Sequence, residues 1–185
     1  MKRSREWNAL RRERVVLVDH RNRAVGIASK LRAHREGRLH RAVSVLIFDS
    51  HGMLLLQRRA AQKYHSPGLW SNSCCGHPRP GERSASAARR RLREELGMDC
   101  TLQHAFSFEY HASLDGGMTE HELDHVFVGT CDDTPTPDPA EVSAWERVSP
   151  AMLRRRMADD PESYTVWFRV LMERDELRVP TALRR

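Results

Sequence analysis

The sequence predicts a mixed α/β (α+β) fold built on a mixed β-sheet. Three observations lead there. Strand-like runs come in neighbouring pairs, a helical segment lies between strands, and two more helical segments close the chain. At 185 residues the chain suits one domain with a sizeable core. Its 39% hydrophobic and 30% charged residues match an ordinary globular protein.

The first strands are expected at "RVVLVD" (14–19), "RAVGIA" (23–28), "RAVSVLIFD" (41–49) and "MLLLQRR" (53–59). "DSHG" (49–52) carries the residues of a hairpin turn between the last two. "ASKLRAHREGRLH" (28–40) reads as an irregular or partly helical connection. "SASAARRRLREEL" (84–96) predicts a helix, with Ser84 or Ser86 as its cap, a stripe of Ala85, Ala88, Leu92 and Leu96, and Gly97 as its stop. Strands follow around 101–112 and 122–130, joined by "SLDGGMTE". "DTPTPDP" (133–139) is an exposed loop, "SAWERVS" a short strand, and "SPAMLRRRM" and "ESYTVWFRVLMERDEL" are helices. The domain is expected over 15–178, with a basic arm at 1–14 and a tail at 179–185.

Composition narrows the function. The longest apolar runs, "AVSVLIF" and "MLLL", fall far short of the roughly 20 residues of a membrane-crossing helix. The basic N-terminus lacks the apolar region of a signal peptide. Four cysteines at 74, 75, 100 and 131 form no C-x-x-C pair, which points to reduced thiols in a cytoplasmic protein. The net charge of +6 favours anionic partners, either nucleic acid or a phosphorylated small molecule. Only 6% of residues are aromatic, and most sit within apolar segments, which disfavours a nucleic-acid surface.

Two constellations carry chemistry. From Gly76 the spacing is G-x5-E-x7-R-x-L-x-E-E-x-G, through Glu82, Arg90, Leu92, Glu94, Glu95 and Gly97. A glycine-containing loop before a helix with adjacent carboxylates suits Mg²⁺ bound with a diphosphate. The second set is dispersed: His34, His40, His77, Glu120 and Glu122. If "TEHE" is extended, alternation puts Glu120 and Glu122 on one face. Three imidazoles and two carboxylates suit a borderline divalent ion such as Zn²⁺ or Mn²⁺. His20, His51, His65, His104, His111, His121 and His125 read as inert.

The first spacing resembles the Nudix box of enzymes acting on diphosphates, and so implies a Nudix-like mixed sheet sandwiched between helices. Arg91 stands where that box usually has a carboxylate, which argues against diphosphate hydrolysis. "LHRAVSV", "SNSCCGHPRPGE", "RRRLREELG", "EYHA" and "TEHELDHVF" together look like type I isopentenyl-diphosphate isomerases, from about Val15 to Trp167. That resemblance implies a metal site at His34, His40, His77, Glu120 and Glu122, holding Mn²⁺ or Zn²⁺. It implies a catalytic Cys75, with Cys74 a spectator, and Glu122 as the opposing acid/base beside Tyr110. Glu95, helped by the Cys75 carbonyl, would hold Mg²⁺ on the substrate diphosphate. Lys30, Arg59, Lys63 and Arg91 match diphosphate-binding positions, and Trp167 matches an aromatic capping the hydrocarbon. The implied partner is a small prenyl diphosphate, with no nucleic acid and no membrane; the oligomeric state stays open.

Overall fold

The computed structural model describes residues 11–177, and these form one nine-stranded mixed sheet with four α-helices. The arm at 1–14 falls largely outside the described residues, and the tail at 179–185 wholly outside. The run "RAVSVLIF" builds the centre. It forms most of β3 (His40–Phe48), where every residue except Arg41 is buried. A strand covered on both faces needs such a continuous apolar run.

β3 pairs in parallel with β8 (Met118–Thr130), from His40 opposite Glu122 to Phe48 opposite Thr130. On its other side it meets three antiparallel partners: β1 (Arg14–Val18), β4 (Leu54–Arg59) and the short β6 (Cys74–Gly76). β7 (Leu102–Leu114) pairs antiparallel with β8. β2 (Ala24–Ser29) flanks β1, while β5 (Trp70–Ser71) and β9 (Val142–Val148) flank β4.

Helices cover both faces. α2 (Ser84–Leu96) packs Ala87, Ala88, Leu92 and Leu96 against Val43, Val45, Ile47 and Leu55. On the opposite face, Leu153 of α3 (Pro150–Asp159) joins Phe168 and Leu171 of α4 (Val166–Met172) over Leu46, Phe48, Leu54 and Val126. α1 (Lys30–Arg35) bridges β2 and β3, so the connection at 28–40 is indeed partly helical. The "DSHG" turn closes with Gly52 N–H donating to Asp49 O at 3.0 Å.

Four local expectations need correction. Neither Ser84 nor Ser86 caps α2; Arg83 is the cap residue and makes no side-chain cap bond. Ala85 is exposed and Ala87 takes its place in the core, because Ala87 faces the buried Cys74. The joining segment "SLDGGMTE" shrinks to a 3₁₀ turn at Asp115–Gly117, since both flanking strands run further than expected. The last helix is not continuous over 162–177. Tyr164 bridges Trp70 and Thr165 N–H donates to Trp70 O at 2.9 Å, which holds that stretch extended until Val166. Gly97 does stop α2. Its φ of 63° is left-handed, and an added Cβ would lie 2.7 Å from Thr136 O.

Candidate active site and metal centre

The short strand β6 separates the two cysteines. Cys75 lies opposite Ser44 and Cys74 opposite Val45, so successive side chains leave by opposite faces. Cys74 is fully buried against α2. Cys75 lines a cavity of about 170 Å³ on the other face. Burial, with the Glu95 charge nearby, pushes the Cys75 thiol up to about 12, so it is held as S–H.

Register supplies the groups across from it. Glu122 on β8 lies between His40 of β3 and Tyr110 of β7. The Tyr110 hydroxyl donates to Glu122 Oε2 at 2.6 Å. Because β8 is extended, Glu120 and Glu122 do share a buried face. His34 comes from α1 and His77 from just beyond β6. Ligand atoms of His34, His40, His77 and Glu122 all lie within 4.8 Å of one another. Glu120 stands outside that set of four but reaches His34, with its Oε2 3.2 Å from Nε2.

These residues fit a divalent ion. His34 Nδ1 donates to Lys30 O and His40 Nδ1 to Arg38 O, each at 2.8 Å. A carbonyl only accepts, so Nδ1 of each ring carries a proton, and the neutral form of each ring has its lone pair on Nε2. His40 Nε2 then sits 3.2 Å from His77 Nε2, and His77 Nε2 sits 2.8 Å from Glu122 Oε1. His34 Nε2 and Glu120 Oε2 are buried without a hydrogen-bond partner. Acceptors crowded this way want a cation between them. Burial and the Lys30 charge push His77 down to about 3, which keeps its ring neutral and able to ligate.

The cationic side of the cavity carries Lys30, Arg59, Lys63 and Arg91. Each lysine already meets a carboxylate: Lys30 Nζ is 3.3 Å from Glu13, and Lys63 Nζ is 2.8 Å from Glu141. Arg91 holds Glu95 Oε1 at 2.6 Å and Glu141 at 3.2 Å. Its Nε also reaches the Cys75 carbonyl at 3.4 Å. Arg91 Nε–H therefore lies within hydrogen-bond reach of both oxygens expected to hold Mg²⁺. Gly76 makes room for this arginine, since a Cβ there would stand 2.9 Å from Arg91 Cγ. Arg59 is fixed by the Ser66 and His65 carbonyls, and its guanidinium lies 5.1 Å from the Trp167 ring centre.

All the expected site residues except His40 line the cavity; His40 is fully buried behind it. Sequence reasoning missed Glu13, Tyr64 and Glu141, which line it too. His65, read as inert, is buried and lines the cavity as well, 3.8 Å from Glu120 and 5.3 Å in ring centres from Trp167. The pairing of Arg14 with Ser29 in β1–β2 brings Glu13 beside Lys30, a neighbour relation invisible without the register.

The Nudix domain model matches residues 38–168. An isopentenyl-diphosphate Delta-isomerase of Aromatoleum aromaticum is 52% identical over 162 residues, 88% of this chain and 86% of that protein. One from Burkholderia multivorans is 52% identical over 167 residues, 90% of this chain and 95% of that protein. Among solved structures, a Deinococcus radiodurans protein aligns with TM-score 0.68 and 29% identity, over 80% of this chain and 90% of that one.

Proposed function

The chain belongs to the isopentenyl-diphosphate Delta-isomerases, within the Nudix domain family, and from that premise we propose how its residues divide the work. It interconverts isopentenyl diphosphate and dimethylallyl diphosphate, moving a carbon–carbon double bond. One carbon gains a proton and another loses one. An isolated alkene is a poor base, and its protonation gives a tertiary carbocation. Such a site needs an acid and a base on different sides of the substrate.

The observation that carries the reading is the arrangement of β6 against β7 and β8. Cys75 enters the cavity from one strand, and the Tyr110–Glu122 pair enters from two others. Cys75 and Glu122 are the acid/base pair. Tyr110 orients Glu122 through its hydroxyl. Lys30, Arg59, Lys63 and Arg91 bind the diphosphate; Lys30, Lys63 and Arg91 exchange their present carboxylate partners for phosphate oxygens, and Arg59 is already aimed by backbone carbonyls. Trp167 offers its π-face to the developing cation, worth roughly 0.5–2 kcal/mol. The cavity wall excludes water, which would trap that cation as an alcohol.

His34, His40, His77, Glu120 and Glu122 would hold Mn²⁺ or Zn²⁺, and Glu95 with the Cys75 carbonyl would hold Mg²⁺. When bound, the first ion tunes the Glu122 carboxyl and the second neutralises diphosphate charge. A small phosphorylated substrate accords with a cytoplasmic enzyme, and no helix among the described residues is long and apolar enough to cross a membrane.

The test is NMR of purified protein with isopentenyl diphosphate, Mg²⁺ and Mn²⁺ in D₂O. Methyl signals of dimethylallyl diphosphate should appear, with solvent deuterium in the product. Phosphate release without a double-bond shift would instead reveal a diphosphatase.

A further inference from the structure

The three histidines of the metal centre are not equally held. His34 and His40 each donate Nδ1–H to a backbone carbonyl at 2.8 Å. His77 Nδ1 is buried and has no hydrogen-bond partner. The carboxylate facing it belongs to Glu13, whose Oε1 lies 3.9 Å away. Glu13 is anchored at its backbone, where its carbonyl accepts Lys30 N–H at 2.8 Å. Its side chain leans toward Lys30 Nζ, with Oε1 and Oε2 both at 3.3 Å.

We propose that Glu13 is a positioning residue of the metal centre, its carboxylate accepting the Nδ1–H of His77 when a divalent ion takes Nε2, and in that movement releasing Lys30 to the diphosphate.

Proton placement decides the role of Glu13, which rests on the reading of the His/Glu cluster as a metal site. A histidine that ligates through Nε2 must carry its proton on Nδ1. A metal-ligating histidine almost always passes that proton to a carbonyl or carboxylate, which fixes the ring and strengthens the ligand. His34 and His40 already do so. His77 lacks only the last step, since closing 3.9 Å to a hydrogen bond needs a shift of about 1 Å. The backbone tie to Lys30 lets the side chain alone make that shift. The same shift breaks an even-handed contact with Lys30, leaving that ammonium unshared in the cavity. Metal loading and diphosphate binding would thus be coupled through one side chain from the segment just before β1.

The test titrates Co²⁺ into metal-stripped full-length protein against a competing chelator, and records the visible d–d spectrum. Glu13→Ala should weaken Co²⁺ binding about 10–100-fold, the usual effect of losing such a partner, and should change the spectrum. Glu13→Gln keeps a neutral acceptor and should fall between parent and Glu13→Ala. It is nearly isosteric, so it decides the matter if Glu13→Ala does not fold. Both metal-free variants should melt close to the metal-free parent. His40→Ala is the control and should lose Co²⁺. If His40→Ala loses Co²⁺ while both Glu13 variants bind within twofold of the parent with its spectrum, the role of Glu13 is overturned and the centre stands. If His40→Ala binds like the parent, the metal centre itself is wrong and the Glu13 proposal falls with it.

Discussion

Cys74 and Cys75 are chemically identical neighbours, and strand alternation alone gives them different surroundings. Cys75 faces the cavity opposite Glu122, whereas Cys74 is wedged against Ala87 and Ala88. Cys75→Ala should therefore lower kcat by at least the roughly 10²–10⁴-fold expected when a general acid or base is lost. Cys74→Ala should keep kcat within a few-fold and cost about 1 kcal/mol of stability, the ordinary effect of trimming a core side chain. Steady-state kinetics and denaturant titration of both variants read the two effects separately. A dead Cys74→Ala beside an active Cys75→Ala would reverse the assignment. The resemblance in "NSCCGHP" points to Cys75, and the register puts that side chain on the cavity face. His65 was illegible for the opposite reason. Its burial comes from the packing of Trp167 and Glu120, residues far away in the chain.

At the scale of elements, the segment from Gly76 to α2 is held by Glu82. Its carboxylate accepts Arg79 N–H at 2.8 Å, Arg90 Nε–H at 2.8 Å and Arg90 Nη2–H at 2.9 Å. Arg90 in turn donates to the His77 carbonyl at 3.2 Å, so the clamp reaches a residue of the candidate metal site. Glu82→Ala should destabilise the protein by about 1.5–3 kcal/mol, the range for hydrogen bonds to a charged group. The Arg90 hydrogen bond, against an opposing effect of burial, lowers the Glu82 pKa from 4.5. A depressed acid stabilises the fold above its unfolded value and loses that contribution as pH falls through its folded value. The gap between parent and Glu82→Ala should be constant near neutrality and close below pH 4.5. Denaturation at several pH values checks this, and a gap that widens on acidification would contradict it. Glu82 and Arg90 were legible as a spacing; what they hold together was not. Long elements such as β3 and α2 announced themselves by pattern. β6 has three residues and no pattern, and its existence depends on β3 lying beside it. The shortened α4 likewise reflects a pairing with Trp70, more than ninety positions upstream.

Across the whole molecule, the candidate metal centre ties together parts of the chain that sequence keeps far apart. His34 belongs to α1, His40 to β3, His77 follows β6, and Glu122 belongs to β8. Without an ion these elements meet at a buried site with unpartnered polar atoms on His34, His77 and Glu120. An unfolded chain cannot present the same ligands together, so an ion bound only by the native state must raise its stability. At free metal about 100 times Kd the gain is about 2.7 kcal/mol. For a chain of this size that corresponds to roughly 5–11 °C in Tm. Calorimetry should show the chelated protein melting lower by that order, and Mn²⁺ or Zn²⁺ restoring it. Mg²⁺ alone should not, because an imidazole-rich site suits borderline ions and Mg²⁺ prefers oxygen ligands. Activity follows a different rule. It should need both the His/Glu ion and Mg²⁺, since on the proposed reading the second would serve the diphosphate at Glu95 and leave the fold untouched. His40→Ala should abolish the Mn²⁺-dependent rise in Tm. Equal melting of the chelated and reloaded protein, or full activity in a demonstrably metal-free preparation, would mean that the cluster is a structural arrangement of histidines and carboxylates with no ion to hold.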